Sequence, residues 1–136
     1  MSLVLDASMA MAWFLDEDQA DAAQGVLDFV VGDSAVVPSL WRLEVANSLQ
    51  YSVRRKRIDR LFADECLIQL SRLNILIDSE TDEHAWGETR RLAIKHGLTV
   101  YDAAYLELAI RRGLPLASCD GELIAAAKKV GVGVVG

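Results

Sequence analysis

Short apolar runs alternating with longer helix-like stretches predict an α/β fold, with a central, mainly parallel five-stranded sheet between two layers of helices. Two observations carry this expectation. The apolar runs lack the period-two alternation of a strand with one wet face, as expected for strands covered on both sides. Segments of helical length separate most of them, which is what a parallel neighbour requires as a crossover.

The elements follow in order. Leu3-Val4-Leu5 is a buried strand ending at Asp6, and Ala7 to Phe14 has helix-forming composition. Asp18 to Val31 places Ala22, Val26, Leu27 and Val30 at helical spacing. Gly32-Asp33-Ser34 is a turn, and Ala35-Val36-Val37 is a second strand stopped by Pro38. A helix runs from Leu40 to Arg57, with Leu43, Ala46, Asn47 and Gln50 along one side. Another runs from Ile58 to Leu73, where Asp59 and Asp64 are candidate caps near its start. Asn74 breaks it before the third strand, Ile75-Leu76-Ile77. Helices over Glu80 to Lys95 and Val100 to Arg111 close at Gly97 and Gly113, residues suited to a left-handed cap. Leu116-Ala117 and Val132-Gly133-Val134 are the last strands, separated by a helix from Gly121 to Lys129. With no repeat and no linker, residues 1–136 read as one domain.

The 136 residues, 52% hydrophobic and 25% charged, fit a soluble globular chain able to bury a substantial core. No apolar run approaches the roughly 20 residues of a membrane span. The start reaches Asp6 too soon for a signal peptide, so the expectation is cytoplasmic, without membrane attachment. Cys66 and Cys119 then read as two buried thiols in a reducing compartment. His84 and His96 lack His or Cys partners at ligand spacing and read as surface or helix-end residues, not a zinc site. A net charge of −6 argues against nucleic acid, but its distribution is uneven. Arg54, Arg55, Lys56 and Arg57 form a basic run, followed by Arg60. Acids gather at Asp16-Glu17-Asp18 and between Asp78 and Glu83. The basic run reads equally as a solvated helix end or as a local RNA contact.

Four acids stand out. In an open parallel sheet, functional groups collect beyond the carboxyl ends of the strands, where Asp6 and Asp120 lie. Asp102 opens a helix. Each Asp alone has a plain alternative as a helix N-cap. Glu44 does not, because it sits in the largely apolar segment Leu40 to Asn47, and burying an unpaired acid there costs several kcal/mol. Asn47 lies one turn later and is placed to support its carboxylate. If the four meet, they need a cation, and Mg²⁺ or Mn²⁺ suits an all-oxygen site.

The ordered motifs resemble a known family. Val4-Leu5-Asp6-Ala7-Ser8 resembles the D-x-S opening of PIN domains, and Val37 to Asn47 resembles the segment with their second acid. Thr99 to Ala109 is similar to their third-acid segment, and Leu116-Ala117-Ser118-Cys119-Asp120 to their final [ST]-x-D motif. The likeness runs from about Val4 to Val134 and is strongest to the small VapC toxins. It implies the three-layer PIN fold and a ribonuclease in which a metal-activated water attacks the RNA phosphodiester, leaving a 5′-phosphate and a 3′-hydroxyl. It further implies that Asp6, Glu44, Asp102 and Asp120 hold Mg²⁺ or Mn²⁺, with Ser8 and Ser118 orienting them and Thr99 and Asn47 as further candidates. A homodimer and a VapB-type antitoxin partner are implied as well. Cys119 departs from the usual residue at its position. Three rivals stand beside this reading: a PIN-like binding module without cleavage, a DNA-directed nuclease, and a phospho-acceptor receiver domain built on Asp6, Asp78 and Ser118. The receiver reading lacks the lysine expected after the last strand.

Overall fold

The structure, a computed structural model, describes residues 1–15 and 17–136; Asp16, in the first acidic run, lies outside the described residues. The chain order is β1 (Leu3–Leu5), α1 (Ala7–Leu15), a 3₁₀ turn (Glu17–Gln19), α2 (Ala20–Gly32), β2 (Ala35–Val37), α3 (Trp41–Arg54), α4 (Arg60–Ser71) and β3 (Ile75–Ile77). It continues with α5 (Thr81–His84), a π-turn (Ala85–Thr89), α6 (Arg90–His96), α7 (Val100–Arg112), β4 (Leu116–Ala117), α8 (Gly121–Lys129) and β5 (Val134–Val135).

The five strands form one sheet in the order β3-β2-β1-β4-β5, and every pairing is parallel. The sheet grows from β1 in one direction through β2 and β3, then in the other through β4 and β5. The reversal opens a crevice beyond the carboxyl ends of β1 and β4, the place where open α/β sheets bind ligands. Leu3, Val4, Leu5, Leu116 and Ala117 are almost fully buried, as their unbroken apolar runs predict. Edge strand β3 differs: Leu76 and Ile77 are about half exposed, because only one neighbour and part of one face cover them.

Three helical expectations are adjusted. Helix α3 stops at Arg54, not Arg57: Lys56 turns left-handed (φ 58°) and the Arg57 N–H reaches back to the Ser52 carbonyl at 3.0 Å. The basic run therefore wraps a helix end. The segment expected as one helix over Glu80 to Lys95 runs continuously from Thr81 to His96 but widens into a π-turn at Ala85–Thr89. Asp59 caps α4 by accepting from the Phe62 N–H, whereas Asp64 lies inside that helix. The last strand begins later than expected because the Val132 N–H is taken by the Ala127 carbonyl of α8, at 2.9 Å. Gly97 and Gly113 close α6 and α7 with φ of 66° and 64°, which glycine adopts without steric cost.

Candidate functional site

The β1–β4 register builds the centre of the site. Leu5 pairs with Ala117, and the Asp6 N–H extends the ladder to the Ala117 carbonyl at 3.0 Å. Asp6 and Ser118, each one residue past its strand, thus lie side by side. The Ser118 and Ser8 hydroxyls both donate to Asp6 Oδ2, each at 2.7 Å. Their donor direction is set by what they accept: Cys119 N–H reaches Ser8 Oγ at 2.9 Å, and Asp120 N–H reaches Ser118 Oγ at 3.0 Å. With their lone pairs engaged by the backbone, the two serines present hydrogens to a carboxylate that is 5% exposed.

The other acids arrive from helix starts. Asp120 is the N-cap of α8; Oδ1 accepts from Glu122 N–H at 3.0 Å and Leu123 N–H at 3.4 Å, leaving Oδ2 outside the cap. Capping and site membership are compatible here. Asp102 is not a cap: Thr99 caps α7, its Oγ1 accepting the Asp102 N–H at 3.1 Å, and its hydroxyl also bonds the Asp102 carboxyl. Glu44, in the first turn of α3, is half-buried and accepts a hydrogen bond from the Tyr105 hydroxyl. Tyr105 is fully buried and also meets the Ala7 backbone beside Asp6.

The four carboxyls act on one another. Burial pushes Asp6 above the usual carboxylate range; the Ser118 and Ser8 bonds oppose this, and Asp120 adds to it. Burial also raises Glu44 against the Tyr105 bond, with Asp6 and Asp102 adding to the rise. Asp102 is pushed up to about 6 by burial, then by Asp120 and Asp6. Besides burial, the groups that shift these three most are neighbouring acids, hydroxyls and a backbone amide. The acids raise one another, as like charges sharing a site do. The four acids are not among the groups whose ligand atoms all lie within 4.8 Å of one another. The described group that does meet that spacing is Glu80, Glu83 and His84, a surface cluster in which Glu80 also pairs with Arg111.

Asn47 is exposed and makes no hydrogen bond to Glu44; it lines a groove beside the acids with Ser8 and Cys119. Cys66 is buried as expected, but Cys119 is only half-buried, since it faces that groove. His96 closes α6 and His84 lies where α5 runs into the π-turn; Nε2 of each is shielded and without a hydrogen bond, that of His84 lying 4.0 Å from Glu80.

Two features escaped the sequence reading. One is Tyr105, which looks like ordinary core at its spacing in α7. The other is Asp78, whose side chain is wholly inaccessible and held by Arg111 at 2.6 Å and Arg112 at 3.0 Å. Arg111 also pairs with Glu107 at 2.8 Å. This network ties the end of β3 to α7, the helix bearing Asp102 and Tyr105. It also removes the receiver reading, since Asp78 is not open to a phosphoryl donor.

Residues 3–129 match the PIN domain family. Ribonuclease VapC3 of Pyrobaculum aerophilum is 31% identical over 123 residues, covering 90% of this chain and 92% of its own. The crystal structure of PAE2754 from the same organism superposes with a TM-score of 0.71 at 29% identity, covering 99% of this chain and 84% of that one. VapBC2 of Rickettsia felis, solved bound to a DNA fragment from its promoter, shares the fold at a TM-score of 0.66 and 18% identity, over 98% and 97% of the two chains.

Proposed function

The chain belongs to the PIN-domain family, and from that premise we propose that it is a metal-dependent endoribonuclease acting as the toxin of a toxin–antitoxin pair. The observation that carries the reading is the group of mutually repelling acids around Asp6 at the β1–β4 crevice. Hard oxygen donors and clustered like charges fit Mg²⁺ or Mn²⁺, and Mg²⁺ bound by carboxylates usually keeps several waters. Asp6, Glu44, Asp102 and Asp120 would hold it. Bound there, the ion would polarise the phosphoryl oxygen and activate the attacking water.

The remaining work falls to the chain. Ser8 and Ser118 fix the Asp6 carboxylate, Thr99 fixes Asp102, and Tyr105 fixes Glu44. Arg54, Arg55, Lys56 and Arg57, all exposed, would meet RNA phosphates beside the acidic pocket. A VapB-type antitoxin and a homodimer belong to the same proposal. The name of VapC3 and the paired VapBC2 assembly support it. Among the described residues no helix is long and apolar enough to cross a membrane.

The test is cleavage of single-stranded RNA by purified protein with Mg²⁺ or Mn²⁺, with ends mapped by sequencing. The expected products carry 5′-phosphates, and Asp6→Asn abolishes them; full activity in that variant sinks the assignment. In cells, expression should arrest growth and the product of the neighbouring gene should restore it.

A further inference from the structure

The groove beside the acids is a cavity of about 390 Å³, within the range of small-ligand sites. Its position and lining are both informative. It begins at Ser8 and Cys119, and the Ser8 hydroxyl is itself bonded to Asp6, so the cavity starts one hydrogen bond from the acidic centre. Met11 and Leu15 supply apolar floor, and Tyr51 supplies an aromatic wall. Asn47 and Ser48 bring an amide and a hydroxyl, a donor and acceptor set matched to the edge of a heterocycle.

Charge argues for the same occupant. The Arg55 guanidinium lies 5.1 Å from the centre of the Tyr51 ring, and the turn carrying Arg54, Lys56 and Arg57 follows directly. A second cavity, of about 540 Å³, shares Leu15 and Ser52 with the first and reaches Arg57. Acids, aromatic wall and basic turn are thus joined by one continuous path.

We propose that the Tyr51 cavity binds the base of a single-stranded ribonucleotide flanking the phosphate at the acidic centre, with the basic turn holding the phosphates beyond it. The proposal rests on the nuclease reading and deepens it. A base can enter only if it is unstacked and unpaired, so the cavity selects single strands and loops over duplex. Tyr51 offers a π-face that any base can stack on, and Asn47 and Ser48 set the preference among bases.

The experiment is a binding cycle by fluorescence anisotropy, with a short labelled single-stranded RNA in calcium to suppress turnover. An abasic residue is moved along the RNA, and wild type is compared with Tyr51→Leu and Tyr51→Phe. At one position, losing the base should weaken binding to wild type about tenfold. Tyr51→Leu should weaken the intact RNA by a similar factor and the abasic RNA hardly at all, while Tyr51→Phe should behave as wild type. The proposal is overturned if wild type binds and cleaves RNA yet no abasic position matters, or if the abasic penalty survives in Tyr51→Leu. In either case the nuclease reading stands, and the groove is free to be assigned to a protein partner's side chain. If wild type neither binds nor cleaves RNA, both readings fall.

Discussion

The hydroxyl of Tyr105 donates to the carboxylate of Glu44 across 61 residues of sequence, joining α7 to α3 next to Ala7 and Asp6. The phenol is fully buried and its own ionisation is strongly disfavoured, so it acts as a fixed donor. Removing only the oxygen should therefore test positioning apart from packing. Tyr105→Phe is expected to stay folded and lose about 1–2 kcal/mol of stability, the range for a lost buried hydrogen bond. Metal affinity should fall roughly tenfold or more as Glu44 loses its orientation, with KM for RNA little changed. Calorimetric titration with Mn²⁺ beside steady-state kinetics measures both.

Asp6→Asn should trade activity for stability. Burial and Asp120 make the charged form of Asp6 costly in the metal-free fold, so the neutral amide should raise the melting temperature without metal. Added Mg²⁺ should stabilise wild type by mass action and leave the variant unmoved. Thermal melts with and without Mg²⁺ are the measurement. An equal Mg²⁺ response in both proteins would place the ion elsewhere.

The pH dependence has two opposed arms. Asp102 is raised to about 6 and Asp6 and Glu44 are also raised. An acid raised in the folded state loses stability as pH climbs from its unfolded value, about 4, to its folded one. Asp78 is lowered, since Arg111 and Arg112 outweigh its burial; its contribution is present above about pH 4 and is lost as pH falls through its folded value. Metal-free protein should therefore be most stable at roughly pH 4–5 and lose stability towards neutrality. Mn²⁺ affinity should fall about tenfold per unit below pH 6, where a proton competes for Asp102. Chemical denaturation across pH, with and without Mn²⁺, reads both arms.

Arg111→Met should be among the most damaging changes outside the site. It strips the shared cation from Asp78 and Glu107, whose side chains are 0% and 5% exposed. Breaking a buried pair by removing one partner costs about 3–5 kcal/mol. Urea unfolding gives the number, and a loss below about 1 kcal/mol would show that Arg112 alone holds Asp78.

Replacing Arg54, Arg55 and Arg57 together should weaken RNA binding at all sequences and flatten the salt dependence, by up to about 0.7 in slope per lost phosphate contact. An unchanged slope would return the run to a solvated helix end.

Much of this was legible from local pattern. Leu3-Val4-Leu5 and Leu116-Ala117 announce buried strands by unbroken apolarity, and Asp6 and Asp120 announce themselves by following them. Gly97 and Gly113 mark helix ends because their left-handed backbone is needed there. Relationships between distant segments were not legible. Nothing near Tyr105 signals that its hydroxyl meets Glu44, and Asp78 reads as a surface acid within an acidic run. Only the approach of the end of α7 to the residue after β3 brings Arg111 and Arg112 against it. The left-handed turn at Lys56 was hidden for a different reason, since no glycine marks it.

The neighbouring of β1 and β4 has a consequence in time. Ser118, which orients Asp6, is synthesised 112 residues after it, and Asp120 follows that. A nascent chain released only as far as α7 holds Asp6 and Glu44 without the strand that completes their pocket. The acid pocket thus forms only when β4 docks beside β1, late in the making of this domain.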